Sequence, residues 1–281
     1  MTKLYISADL EGVCGVTSPH QCATEPDRSA YDWAVSQLEM ELGAVIDVAL
    51  DHGVTEILVN DSHCTMTNLY LEQVHPRVSL LSGKPKRCAM SAGLDKTFDA
   101  AMYVGYHAKA GTHKGVLCHT FHSKLFDVSV NGVSYGEGGI NALHAGLTYG
   151  VPVILASGDR AFAEEILQLI PDLAIVETKE GLTHTAARCR PMEAVLEEYA
   201  EKVRHVLENR ASWKKNILQV PGPFALRMTF INTLAADAAN SIPGLDRIDG
   251  RTLGYKTDTF ETLYQMLQSC YSILSYTSFL E

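Results

Sequence analysis

The sequence predicts an α/β fold with a central mixed, largely parallel sheet flanked by helices, followed by a smaller C-terminal α+β lobe. Two observations carry this. Short apolar runs alternate with amphipathic stretches of helical period as far as Asn209, the pattern of strands and helices in turn. A Pro221-Gly222-Pro223 break then precedes a shorter strand-and-helix set. The expected division is 1–215 for the α/β domain and 216–281 for the smaller lobe, a surface for oligomerisation or a wall of the pocket.

Lys3 to Ala8 reads as a short buried strand, running into the turn Asp9-Leu10-Glu11-Gly12. Pro19 and Pro26 mark a loop. Ser29 to Asp51 is helical: Trp33, Leu38, Leu42, Ile46 and Leu50 recur at helical spacing, and His52-Gly53 closes the helix. Glu56 to Val59 and Val78 to Leu81 are the next strands. Ala101 to Val104 follows and ends in Gly105-Tyr106-His107, and Gly115 to Thr120 reads as extended. Phe126 to Val130 and Val133 to Tyr135 form a hairpin, because Asn131-Gly132 between alternating runs suits a type I′ turn. A helix starts near Glu137 and stops near Gly150. Then come a strand to Ala156, a helix over Ala161–Leu169 with Asp159 as its N-cap, a strand over Leu173–Glu177 and a long helix over Pro191–Asn209. Past the break, Ala225 to Ile231 is a strand and Thr259 to Ser272 the final helix.

Composition narrows the function. Of the 281 residues, 46% are hydrophobic and 20% charged, enough to bury a core and too apolar for a disordered chain. The net charge of −10 is a poor match for phosphate backbones, so no nucleic-acid partner is expected. No apolar run reaches the ~18–20 residues of a membrane span. The N-terminus lacks a signal-peptide plan, because Asp9 breaks its short apolar stretch. The seven cysteines are scattered and form no C-x-x-C pair, which fits reduced thiols. A cytoplasmic protein is expected.

The chemistry gathers at strand ends. Asp9 and Glu11 follow the first strand, two apart and so on one side of an extended segment. Asp61 and His63 follow the second, and His107 ends a third. In open α/β sheets, sites form at the carboxyl ends of strands. Asp61 reads equally as a turn former. Two imidazoles with carboxylates suit zinc, with manganese or cobalt as alternatives. A pair of ions sharing a carboxylate would use such a set to activate water for hydrolysis. Glu137 lies between glycines at a helix start. His107, His113, His119 and His122 fall within sixteen residues; the last three are candidates for acid/base or nucleophile, with His113 and His122 read rather as partly exposed loop histidines. Asn68, Asn141 and Lys109 are candidates for holding substrate. Cys64 and Cys118 flank these residues.

These motifs resemble the bacterial zinc-dependent D-aminopeptidases, the metallopeptidases of a dipeptide-transport operon. The matching stretches are Ser7-Ala8-Asp9-Leu10-Glu11-Gly12, Val59-Asn60-Asp61-Ser62-His63, Gly105-Tyr106-His107-Ala108, Val116-Leu117-Cys118-His119 and Gly136-Glu137-Gly138-Gly139-Ile140-Asn141. Likeness covers roughly residues 3 to 195 and fades beyond. The resemblance implies that Asp9, Glu11, His63, His107 and Glu137 hold two zinc ions. It implies that His119 is the catalytic nucleophile or acid/base, and that short peptides and amides with an N-terminal D-residue, D-Ala in type, are the substrates. It also implies a homo-oligomer, a ring-shaped decamer. The membership of Glu137, the choice of His119 and the D-stereochemistry rest on the resemblance alone. The rival readings are another metal-dependent hydrolase (an L-peptidase, amidase or phosphoesterase) and a non-catalytic peptide-binding protein.

Overall fold

The computed structural model describes residues 1–274. Residues 275–281 of the expected C-terminal lobe lie outside the described residues. The larger sheet has seven strands: β1 (Lys3–Ala8), β2 (Glu56–Asp61), β3 (Ser79–Leu81), β4 (Ala100–Tyr106), β7 (Val153–Asp159), β8 (Ala174–Thr183) and β9 (Ala186–Cys189). Their order is β3-β2-β1-β4-β7-β8-β9. All neighbours run parallel except β8 and β9, so the sheet is mixed and largely parallel, as expected. The chain moves outward from β1 to β2 and β3, then returns to the other side of β1 as β4. The sheet therefore reverses its winding between β1 and β4, and a crevice opens at their carboxyl ends.

β1 is buried on both faces, which explains its unbroken apolar character. Leu4, Ile6 and Ala8 point into a core built with α1 (Arg28–Asp51) and α5 (Met192–Glu208). Tyr5 points the other way, into a core shared with α3 (Glu137–His144), α7 (Phe260–Leu274) and the smaller sheet. That smaller sheet joins β5 (Leu125–Val130) and β6 (Val133–Ser134) to β10 (Phe224–Phe230), β11 (Asp246–Arg247) and β12 (Thr252–Thr257), in the order β11-β12-β10-β5-β6. A boundary at 216 runs through this sheet: β5 and β6 precede it, and β10 pairs directly with β5. The Asn131-Gly132 hairpin forms as read, with φ of 52° and 83° at its two turn residues.

Three local expectations change. Gly115–Thr120 is a run of turns, because Asp159 Oδ2 accepts from the Val116 amide at 2.7 Å and Leu117 N donates to His184 O at 2.8 Å. Those contacts hold the segment off any strand. β8 runs on past Glu177 and returns as β9, a hairpin hidden in polar sequence because Thr178 and Lys179 are buried there. Trp33 lies outside the buried stripe of α1 and is 44% exposed.

The buried face of α1 instead includes Glu41. Its carboxylate accepts from Cys14 N at 2.8 Å and from Tyr199 Oη at 2.6 Å. Burial raises the Glu41 pKa from 4.5 to about 7. A carboxyl whose pKa rises on folding binds its proton more tightly in the native chain. Its contribution is therefore complete below pH 4.5 and is lost as pH climbs through 7, a difference of about 3 kcal/mol. Glu41→Gln keeps an acceptor for Cys14 and offers a donor to Tyr199. Chemical denaturation from pH 5 to 8 is expected to show the variant gaining on the wild type as pH rises; parallel curves would refute this account of Glu41.

Candidate metal centre

The parallel strands place the predicted residues on one rim. Asp9 and Glu11 leave β1, His63 lies two residues beyond β2, and His107 follows β4 directly. The loop after β1 touches the end of β4 through its backbone: Asp9 N donates to Val104 O and Gly12 N to Gly105 O, both at 2.8 Å. A Cβ at Gly12 would lie 1.8 Å from Tyr106 O. Gly105 has φ +74°, and a Cβ there would lie 2.2 Å from Asp9 O. Both glycines are required for the approach that brings Asp9 to His107. Behind the rim the fully buried Lys179 ammonium donates to Glu11 O and Val13 O, each at 2.6 Å, and fixes the β1 loop.

The side chains converge. His63 Nδ1 lies 3.0 Å from Glu11 Oε2 and 3.3 Å from Asp9 Oδ1. His107 Nε2 lies 3.6 Å from Asp9 Oδ2 and 3.5 Å from Glu137 Oε1. Glu137 opens α3, where a carboxylate suits the helix N-terminus, and its Oε1 accepts from Phe121 N at 2.5 Å. His119 Nε2 sits 3.6 Å from the same oxygen, and its ring stacks on that of His107 at 4.1 Å between centroids. The three imidazoles are each oriented by a carbonyl: His63 Nε2 by Cys22 O at 2.7 Å, His107 Nδ1 by Ala108 O at 3.0 Å, and His119 Nδ1 by Leu117 O at 3.0 Å. Such bonds leave the other nitrogen of each ring facing the carboxylates, the arrangement ligating histidines adopt.

Ionisation follows from burial and crowding. Burial, then the Glu11 charge, lifts Asp9 to about 6. Burial also works to raise Glu11, but His63 outweighs it and holds Glu11 well below the ordinary carboxylate value. Burial raises Glu137. For His119, burial lowers the pKa, yet the Glu137 and Glu11 carboxylates outweigh it and raise the ring above its ordinary value. His107 is held low by burial and then by His119.

Among the described residues, two buried atoms of this cluster have no hydrogen-bond partner, Asp9 Oδ2 and His107 Nε2. A buried carboxylate oxygen and a buried ring nitrogen, orphaned 3.6 Å apart, fit a cation between them. The ligand atoms of Asp9, Glu11 and His107 lie within 4.8 Å of one another, as do those of His107, His119 and Glu137, and those of Glu11, Cys22 and His63. The cluster opens on a cavity of about 630 Å³ with apolar walls that include Met66, Phe121, Leu125 and Tyr271.

The other candidates are placed elsewhere. Asp61 accepts from Asn68 N, Leu69 N and Asn68 Nδ2, and so shapes the loop that carries His63. Asn68 also donates to His63 O at 2.7 Å and accepts from Tyr31. Lys109 turns to the hairpin, its Nζ 3.0 Å from Ser134 Oγ. Asn141 is fully buried behind the centre, its amide engaged by Tyr106 Oη and Tyr264 Oη, so it does not reach the cavity. His113 is exposed, and His122 sits at the cavity wall. Asp159 caps α4 (Arg160–Leu169) as read. Sequence reasoning missed Cys22 and Lys179, which reach the site from a loop and a strand with no spacing signal of their own.

A switch-point crevice lined with acidic and imidazole side chains around an open cavity is the architecture of a metal-dependent hydrolase. The chain belongs to the peptidase M55 family, described as D-aminopeptidase, whose model matches residues 2–269. It is 35% identical over 250 residues to a D-aminopeptidase of Bacillus subtilis, covering 89% of each chain. Its fold matches the structure described as the zinc-dependent D-aminopeptidase DppA of Bacillus subtilis, a self-compartmentalizing protease, with a TM-score of 0.91 and 32% identity over 99% of both chains. The likeness therefore runs through the C-terminal segment as well, beyond the expected limit near residue 195. Among the described residues no helix is long and apolar enough to cross a membrane.

Proposed function

We propose that the chain is a dinuclear zinc aminopeptidase that releases N-terminal D-amino acids, D-Ala in type, from short peptides or amides. The observation that carries this is the pair of orphaned ligand atoms, Asp9 Oδ2 and His107 Nε2, inside a five-residue cluster on the rim of the cavity. Asp9, Glu11, His63, His107 and Glu137 would hold the two ions. Zinc supplies Lewis acidity, which polarises a carbonyl and makes water a nucleophile near neutral pH.

The remaining work falls to the protein. A free substrate amine would meet a carboxylate or a zinc at this end of the cavity, which favours exopeptidase action. The apolar walls take a small side chain. His119, oriented by Leu117 O, presents Nε2 to the cavity as nucleophile or as the group that moves a proton to the leaving amine. Tyr271 and Ile231 line the cavity, which supports a role for the segment from 216 onward as its wall.

We also propose that the protein works as a homo-oligomer, a ring-shaped decamer; the structural relative described as self-compartmentalizing supports an assembly. Its seven free cysteines support a cytoplasmic setting. A panel of D-Ala-amide, L-Ala-amide and a phosphate ester tests the reaction. Cleavage of the D-amide alone is expected. Preferential cleavage of the L-amide or the ester would transfer the site to one of the rival hydrolases.

A further inference from the structure

The loop before α1 folds over the His63 side of the centre. Its residue Cys22 touches the site twice. The carbonyl accepts from His63 Nε2 at 2.7 Å, and the residue also lines the cavity. Cys22 Sγ, a Glu11 carboxylate oxygen and a His63 ring nitrogen all lie within 4.8 Å of one another. Donor atoms around one tetrahedral zinc are about 3.5 Å apart, so closing this trio on an ion needs shifts of about 1 Å. Glu11 and His63 are buried, and Asp9, whose Oδ1 contacts His63, leaves Oδ2 orphaned in the same centre.

The two ends of the centre differ. The His107–Glu137 end faces His119. The His63 end has the Cys22 sulfur as a donor. Closed four-donor sites hold structural ions, whereas catalytic sites keep a position open.

We propose that Cys22 is a metal ligand: its thiolate closes the His63 end of the centre and anchors one ion there, leaving the His107 end open for substrate. This rests on the metal-centre reading of the five-residue cluster. On binding, a sulfur–metal bond forms, the S–H bond breaks and the proton leaves to solvent. The thiolate makes the His63 end the softer of the two, so that end gains affinity for thiophilic cations.

The test is cobalt loading of the full-length protein, read by absorption and by metal content. Cobalt bound to sulfur gives an intense thiolate-to-metal charge-transfer band, which nitrogen and oxygen ligands do not produce. The wild type is expected to show the band and to hold two ions. Cys22→Ser keeps the backbone carbonyl that orients His63, so it removes only the sulfur. It is expected to lose the band and to bind one of the two ions at least about tenfold more weakly. Cys64→Ser, a neighbouring thiol on the cavity wall, is expected to keep the band. Cobalt bound by the wild type without the band, or a band unchanged in Cys22→Ser, would overturn the role of Cys22 and leave the five-residue centre standing. A wild type that binds no cobalt would overturn the centre itself, and the role of Cys22 with it.

Discussion

Replacing His119 with alanine is expected to lower turnover of a D-aminoacyl amide by about 10²- to 10⁴-fold, the range general acid–base groups supply, while the protein keeps its metal. The separation follows from geometry. His119 meets the cluster at Glu137 Oε1, 3.6 Å away, and by stacking on His107, whereas the orphaned ligand atoms belong to Asp9 and His107. It is also the only one of the three oriented imidazoles outside the proposed ligand set. Metal analysis and steady-state kinetics on the same preparation check both halves. Full activity in His119→Ala would remove this residue from the chemistry, and loss of metal would make it a ligand.

The second large effect is expected at His107. Its Nε2 stands between Asp9 Oδ2 and Glu137 Oε1, so His107→Ala leaves those carboxylates facing each other without the ring. Mutating a mere orienting partner of a ligand costs about 10- to 100-fold in metal affinity, and removing the ligand costs more. His107→Ala is expected to retain at most one ion per chain and to lose hydrolysis. Metal content measured after dialysis decides this: an unchanged two ions per chain would take His107 out of the ligand set.

Much of the site was legible because a parallel sheet has a simple rule. Asp9, Glu11, His63 and His107 each follow an apolar strand, and parallel strands put all their carboxyl ends on one edge. Glu137 was not readable in this way, because it comes from the start of a helix, α3, that packs against α7, α4 and β4 rather than from a strand end. Only the family resemblance singled it out. Asp61 and Asn68 carried the same sequence signals as the proposed ligands, yet their polar atoms close the loop beyond β2. Asn141 has a chemistry suited to substrate and a position that denies it, because two buried tyrosines need its amide.

The fold shows the same split. Local turn chemistry was enough for the Asn131-Gly132 hairpin, and the apolar period of α1 for its length. The pairing of β5 with β10 joins residues about a hundred positions apart and leaves no local mark. Buried polar residues were the harder case. Lys179 and Glu41 sit in the interior because backbone carbonyls and amides satisfy them, and such partners cannot be read from the side-chain pattern.

The most direct test of the central claim is hydrolysis of D-Ala-amide and L-Ala-amide by chelator-treated protein, before and after zinc is returned. We expect no activity before zinc, and cleavage of the D-amide alone once two equivalents are bound. Stoichiometric zinc binding with neither amide cleaved would contradict the assignment of this rim as a D-aminopeptidase centre.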